Sequence, residues 1–330
     1  MSLRALAWKT AVVLGVAAGG LWVATHGVAG VGWGDVAAVL RGVTARQFGV
    51  LALIWLGGLG IYSLVLSAAL PGLGVRRSLL LNLSGSAVAN VIPFGGAVAT
   101  ALNWRMVRLW GHSNVAFVAF CVLTNALDVM TKLALPIVAV AALVAISMHV
   151  PAVLWAVAGG CAAVLLLAGL GHPLLLRPAK PAEDPDRRWR RVVQAHVRDS
   201  GTRIRDLVAS HWPRLLPAAV GYIAAQVTLL YFCLQAVGLE PSVTVVLAAA
   251  AIERLGTLVP VTPAGTGVAE IGTIGWLVAA GLDPVDVVAG VLLYRVFLVI
   301  MEVPVGGVLL AGWAGRRRVA TRRAAAEVLT

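Results

Sequence analysis

Charge is scarce in this sequence, and negative charge scarcest. Of 330 residues only 12% are charged, and 14 Asp and Glu stand against 26 Lys and Arg. A chain that is also 60% hydrophobic has too little polar surface to clothe a soluble globule of this size. Cysteine is scarcer still. Cys121, Cys161 and Cys233 lie in three separate apolar segments without metal-ligand spacing, and read as small core residues. The histidines His26, His112, His149, His172, His196 and His211 are scattered. No nucleophile–base set, metal cluster or phosphate loop stands out, so the expectation is a protein that is not an enzyme and needs no cofactor and no metal. Period-2 alternation is lacking too, which excludes an outer-membrane β-barrel.

What is present is apolar sequence in runs near twenty residues, the length of a membrane-spanning helix. The expected fold class is an all-α polytopic membrane protein. The net charge of +12 sits in loops and in the tail, so it points to cytoplasmic orientation and anionic lipid headgroups rather than nucleic acid. Arg4 to Lys9 and the following apolar run imitate a signal peptide. The run continues to about Ala24 without a clear cleavage site, and is read as a retained first helix over about 6–25. A polar loop carrying Asp35, Arg41 and Arg46 follows, then a helix over about 48–70. Apolar segments at about 114–148, 151–171, 214–237 and 284–314 read as further spans. The long polar loop 172–213 is basic, part of it spaced like an amphipathic surface helix or a solvated linker helix. Residues 1–315 thus form one integral membrane domain, and 316–330 a basic tail.

One stretch occurs twice. Pro93-Phe94-Gly95-Gly96-Ala97-Val98-Ala99-Thr100 aligns without a gap to Pro263-Ala264-Gly265-Thr266-Gly267-Val268-Ala269-Glu270, an offset of 170 residues. Proline and glycine inside an apolar run argue against a continuous helix. Each reads as a broken, re-entrant hairpin, tolerated at membrane depth only where protein or a wet cavity surrounds it. Paired interruptions in two halves point to a transporter's binding site. The repeats are placed at about 78–148 and about 243–314.

Basic residues decide the topology. With single crossings at 114–148 and 284–314, the N-terminus, Arg76-Arg77, the 172–213 loop and the tail all fall on the cytoplasmic side. Three crossings then separate the two Pro-Gly stretches, which makes the repeats inverted. The expectation is about six spanning helices plus two re-entrant segments.

Ionisable residues within the apolar helices carry the functional signal, because each is costly in lipid. Asp128 and Lys132 share a helix face at i, i+4, and Arg295 and Glu302 at i, i+7. The offset maps Lys132 onto Glu302 and Asn125 onto Arg295. Lys132 and Glu302 read either as a buried pair holding the halves together or as groups facing a polar cavity. Glu270 reads as a cap on free backbone N–H groups or as a contact to substrate. Glu253 and Arg254 read as partners of other bundle groups. Arg105 and Arg108 read as snorkelling contacts to phosphates or as topology markers. The candidate substrate-contacting set is Pro93, Gly95, Gly96, Arg105, Asn125, Asp128, Lys132, Pro263, Gly265, Gly267, Glu270, Arg295 and Glu302.

The stretch Leu258 to Glu270, with Gly281 and Leu293-Tyr294-Arg295, resembles a Pro-Gly-Gly-x-Gly-x-x-Glu signature and its following helix. Asn90-Val91-Ile92-Pro93, Arg105 and Asp128 fit the first half of the same pattern. On these residues the chain resembles the lysylphosphatidylglycerol synthase transmembrane region, a flippase-like family, over roughly residues 10–315. The family includes the membrane half of the multiple peptide resistance factor, which flips aminoacylated phosphatidylglycerol. Where the family commonly has Glu-Arg, this sequence has Thr124-Asn125, leaving Asp128 without its usual arginine neighbour. The family's aminoacyltransferase domain has no counterpart in these residues, so lysine transfer is not implied. The resemblance implies an inner-membrane transporter of a phospholipid or lipid-linked headgroup, with oligomerisation possible. Two rivals stand beside it: a small-solute or ion-coupled transporter, and a non-transporting partner of a lipid-modifying or glycosyl-transfer enzyme.

Overall fold

The computed structural model describes residues 30–91, 95–146, 150–175, 188–258 and 267–327, of which 168–175, 188–205, 207–208 and 320–327 are described as backbone alone. The first expected helix, Pro93, Pro263 and Gly265 lie outside the described residues. The described elements are helical: α1 (Trp33–Arg41), α2 (Ala45–Ala69), α3 (Val75–Val91), α4 (Gly95–Leu109), α5 (Asn114–Ala145), α6 (Ala152–Leu175), α7 (Arg188–Ala236), α8 (Val243–Gly256), α9 (Val268–Ala279), α10 (Pro284–Arg295), a π-helical turn (Val296–Ile300) and α11 (Glu302–Glu327).

Local chemistry sets many of the ends. Thr44 and Gln47 form a capping box at α2, with the Gln47 N–H donating to Thr44 Oγ1 at 3.3 Å and the Thr44 N–H to Gln47 Oε1 at 2.8 Å. Ser113, Ser242 and Asp283 accept backbone N–H bonds at the starts of α5, α8 and α10. Gly111 (φ 90°) and Gly281 (φ 89°) make the left-handed turns just ahead of two of these caps.

These boundaries repeat. α4 ends at Leu109 and α9 at Ala279, α5 starts at Asn114 and α10 at Pro284, each pair 170 positions apart. α2 and α7 run antiparallel: Gln47 Nε2 donates to Ala236 O, Gly58 faces Ala225, and Gly221 faces Ile61. Two shorter helices pack on long ones. α3 lies against α11, where Gly306 meets Leu83 O directly. α8 lies against α5, where Pro136 and Ala139 border Ala248 and Ala251.

Among the described residues, four helical stretches are long and apolar enough to cross a membrane: Ala45–Ala69, Asn114–Ala145, Ala209–Ala236 and Pro284–Val319. The outward sides of the bundle carry bare apolar groups, with Leu53 70% and Val308 72% exposed. Such surfaces belong in lipid, and the chain is a helical membrane protein.

Three segments differ from the sequence reading. The polar loop expected after the first helix contains α1. The 172–213 loop is not a separate unit: α7 runs from Arg188 through Pro213 and Pro217 into the apolar span. No left-handed glycine stops it before Gly238 (φ 95°), and in a bundle the backbone groups freed by proline find other partners. The basic tail from Arg316 likewise continues α11 to Glu327, since arginine and alanine favour helix.

Candidate functional site

Between α2, α3, α5, α7, α8 and the α10–α11 region lies a cavity of about 310 Å³. Its wall carries Lys132, Arg254 and Arg295 together with Asp128, Glu253 and Glu302. Uncharged polar groups complete it, among them Tyr62, Asn82, Ser86, Asn90, Tyr222, Gln226 and Thr257. So dense a polar lining inside apolar helices means water or a polar ligand in the bundle.

Arg295 is the centre of the charged network and is 8% exposed. Its Nη1 lies 3.2 Å from Glu253 Oε1, and its Nε lies 2.8 Å from Glu270 Oε1. The second contact is close but poorly aligned for a hydrogen bond, so it acts as an ion pair. Glu270 Oε2 accepts the Gly267 N–H at 2.6 Å. Glu270 therefore caps α9 and pairs with Arg295 at once; 2% exposed, it stands behind the cavity wall. Gly267 holds φ 97°, a left-handed conformation that glycine adopts freely. Arg254 Nε sits 3.6 Å from Glu253 Oε2, and its guanidinium lies 5.8 Å from the Tyr222 ring centroid. Buried Nη2 atoms of both Arg254 and Arg295 have no hydrogen-bond partner among the described residues. An unused guanidinium N–H edge in such a place is a strong donor to an anionic oxygen.

The other charges are arranged differently. Lys132 Nζ pairs with Asp128 Oδ2 at 2.8 Å along α5. The Asp128 side chain is 40% exposed, at the edge of the cavity, while that of Lys132 is 11% exposed. Glu302 lines the cavity with Ser86 and forms no ion pair among the described residues. Lys132 and Glu302 thus share one cavity without forming a pair, and the reading of them as a buried pair is corrected: an i, i+4 carboxylate one turn away is the nearer partner for the lysine.

Of the candidate residues, Asp128, Lys132, Arg295 and Glu302 line this cavity, with Glu270 and Gly267 supporting it from behind. Asn125 lines a neighbouring chamber. Gly95 is buried against α3, where an added Cβ would lie 2.5 Å from Ala89 O; this close crossing explains the glycine. Gly95 and Gly96 belong to the first turn of α4 rather than to a loop. Arg105 is exposed and outside the cavity lining. The sequence reading placed Glu253 and Arg254 only as bundle partners and passed over Tyr62, Asn82, Ser86, Tyr222 and Gln226. Their signal was polarity within apolar runs; which of them converge depends on α2 and α7 crossing.

Comparison with known proteins follows the same line. No curated protein matches this chain. The profile of the family described as lysylphosphatidylglycerol synthase TM region matches residues 8–306, nearly the whole chain and every helix that lines the cavity. The protein with this charged cavity belongs to the lysylphosphatidylglycerol synthase transmembrane-region family.

Proposed function

We propose that this chain is a lipid transporter of flippase or scramblase type, moving a phospholipid or lipid-linked headgroup across a bacterial inner membrane. It acts by binding and passage, not as an enzyme. The observation that carries the reading is the charged cavity of about 310 Å³ enclosed by helices whose outward faces are apolar. Arg254 and Arg295 offer their unpartnered Nη2 groups to a headgroup phosphate, and Glu302 and Asp128 meet its cationic part. The π-helical turn supports the route for the tails. Leu298 and Val299 line the cavity edge while the next residue, Ile300, is 60% exposed, so polar interior and apolar exterior adjoin there.

In this reading the two halves are inverted repeats, and α3–α4 and α8–α9 are re-entrant hairpins that meet near the midplane. The matched helix ends, the antiparallel α2 and α7 and the exchanged packing of hairpins on long helices support it. Both termini and the basic part of α7 lie on the cytoplasmic side, where anionic headgroups hold them.

The test is translocation of acyl-labelled fluorescent lipids in reconstituted vesicles. Wild type is expected to move label between leaflets, and Glu302→Gln to abolish movement with insertion and folding retained. Wild-type vesicles no faster than protein-free ones, across lipids of different headgroups, reject the proposal.

A further inference from the structure

Beside the charged cavity lies a second chamber of about 220 Å³, between α2, α3, α4 and α5. The two adjoin, with Tyr62, Asn82 and Ser86 lining both. The polar groups of the second chamber include Asn82, Ser86, Thr100, Asn103, Thr124 and Asn125, and none of its described lining residues is charged.

The other half of the molecule shows what this space becomes when it is closed. At the 170-residue offset, Thr100, Asn103, Thr124 and Asn125 correspond to Glu270, Thr273, Tyr294 and Arg295. There the space is filled: Tyr294 is 2% exposed and the Arg295–Glu270 ion pair occupies it. In the first half, Thr100 and Asn125 are exposed instead. The smaller uncharged side chains leave a chamber where the second half has a salt bridge.

The hydrogen bonds decide what the chamber accepts. The Thr100 hydroxyl donates to Gly96 O at 2.8 Å, and the Thr124 hydroxyl to Phe120 O at 2.9 Å. Asn125 Nδ2 donates to Cys121 O at 2.7 Å. Each group has used one donor on its own helix, which leaves Thr100 Oγ1, Thr124 Oγ1 and Asn125 Oδ1 as acceptors and the second Asn125 N–H as a donor. Asn103 Oδ1 is buried and has no hydrogen-bond partner among the described residues. With the Asn82 and Asn103 amides and the Ser86 and Tyr62 hydroxyls beside them, the chamber offers both donors and acceptors, and its described lining carries no charge. A phosphate would find no cation among the described lining residues. An ammonium would find no carboxylate among the described lining residues. Hydroxyl groups fit both conditions, since they donate and accept hydrogen bonds and carry no charge.

We infer that this chamber binds an uncharged, hydroxyl-rich portion of the cargo, glycerol or a sugar, beside the charged cavity. The inference rests on the transport reading for what brings such a group into the bilayer, but the binding site stands apart from transport.

Binding and movement are measured separately. Purified protein in detergent is presented with phosphatidylglycerol, a monoglucosyl diacylglycerol, phosphatidylethanolamine and phosphatidic acid of the same acyl chains, and bound lipid is counted by native mass spectrometry. At least one hydroxyl-rich lipid should be retained about tenfold over both phosphatidylethanolamine and phosphatidic acid, the equivalent of one to two neutral hydrogen bonds. The one retained identifies the source, glycerol or sugar. Thr100→Glu with Asn125→Arg copies the closed half and should remove the preference. Thr100→Val with Asn125→Leu removes two acceptors without adding charge, and should do the same if the charged double variant does not fold. Equal retention of all four lipids by wild type, or a preference unchanged in the folded variants, overturns the inference. The same lipids are then followed in vesicles. Preferential binding without movement of any of them leaves the chamber in place and removes the transport reading.

Discussion

Arg295 joins two carboxylates from opposite sides of one interrupted segment, Glu253 on α8 and Glu270 on α9, at 3.2 and 2.8 Å. All three are buried. Removing the arginine leaves Glu270 without a cation, and Glu253 with Arg254 alone, where water cannot screen them. Arg295→Met should lower stability by about 3–5 kcal/mol, the scale for breaking a buried pair from one side. Arg295→Lys, which keeps the charge but not the fork, should fall between it and wild type. Thermal unfolding in detergent measures both, and a methionine variant as stable as wild type would contradict the network.

Lys132 and Glu302 give a sharper case. Sharing a cavity without an ion pair, they should not be energetically coupled. A double-mutant cycle with Lys132→Met and Glu302→Met should yield an interaction below about 0.5 kcal/mol. Lys132→Met alone should cost less than about 1 kcal/mol, because its Asp128 partner is partly exposed and remains hydrated. A coupling above that range would restore the interlocked pair.

Gly306 and Gly307 are neighbours with opposite environments. A Cβ at Gly306 would strike Leu83 O and crowd Ala87, whereas one at Gly307 meets nothing within 4 Å. Gly306→Ala should push α11 off α3 and cost about 1–3 kcal/mol, the range for overpacking. Gly307→Ala should be neutral or slightly stabilising. Equal melting temperatures for the two variants would refute the close approach.

Topology is tested with single cysteines at Ser200 and Thr330 in a protein lacking Cys121, Cys161 and Cys233. Both should be shielded from an impermeant reagent in intact cells and labelled after permeabilisation. Different accessibility of the two would contradict the proposed inverted arrangement.

The helices of the second half were the most legible part of the sequence. Gly281, Asp283 and Pro284 are a turn, a cap and a first helical residue in order, and the apolar run after them needs no tertiary information. The 214–237 span was also legible, but not its junction with the polar stretch before it. Charge and proline read as a boundary at Pro213, whereas the backbone continues through it. The charged site was half legible. Arg295, Glu302, Asp128 and Lys132 announce themselves by the cost of charge in lipid. Tyr62 and Tyr222 do not: a tyrosine in an apolar run is unremarkable until antiparallel crossing brings the two rings to 4.5 Å. The Glu270 cap could not be told from a substrate contact, because Gly267 and Arg295 reach it from separate elements.

The salt-bridge triad also divides the molecule by local stability. Through Arg295 and Glu270, α8, α9 and α10 are fastened to one another and should open to solvent as a single cooperative unit. Among the described residues no ion pair performs that task for α4, whose surface from Gly96 to Val98 and at Trp104 and Arg105 is exposed. Its amide protons should exchange well before those of α9, although the two helices occupy corresponding positions in the chain. Helix α9 is thus anchored and α4 loosely held, and large fluctuations of the backbone should begin in the latter.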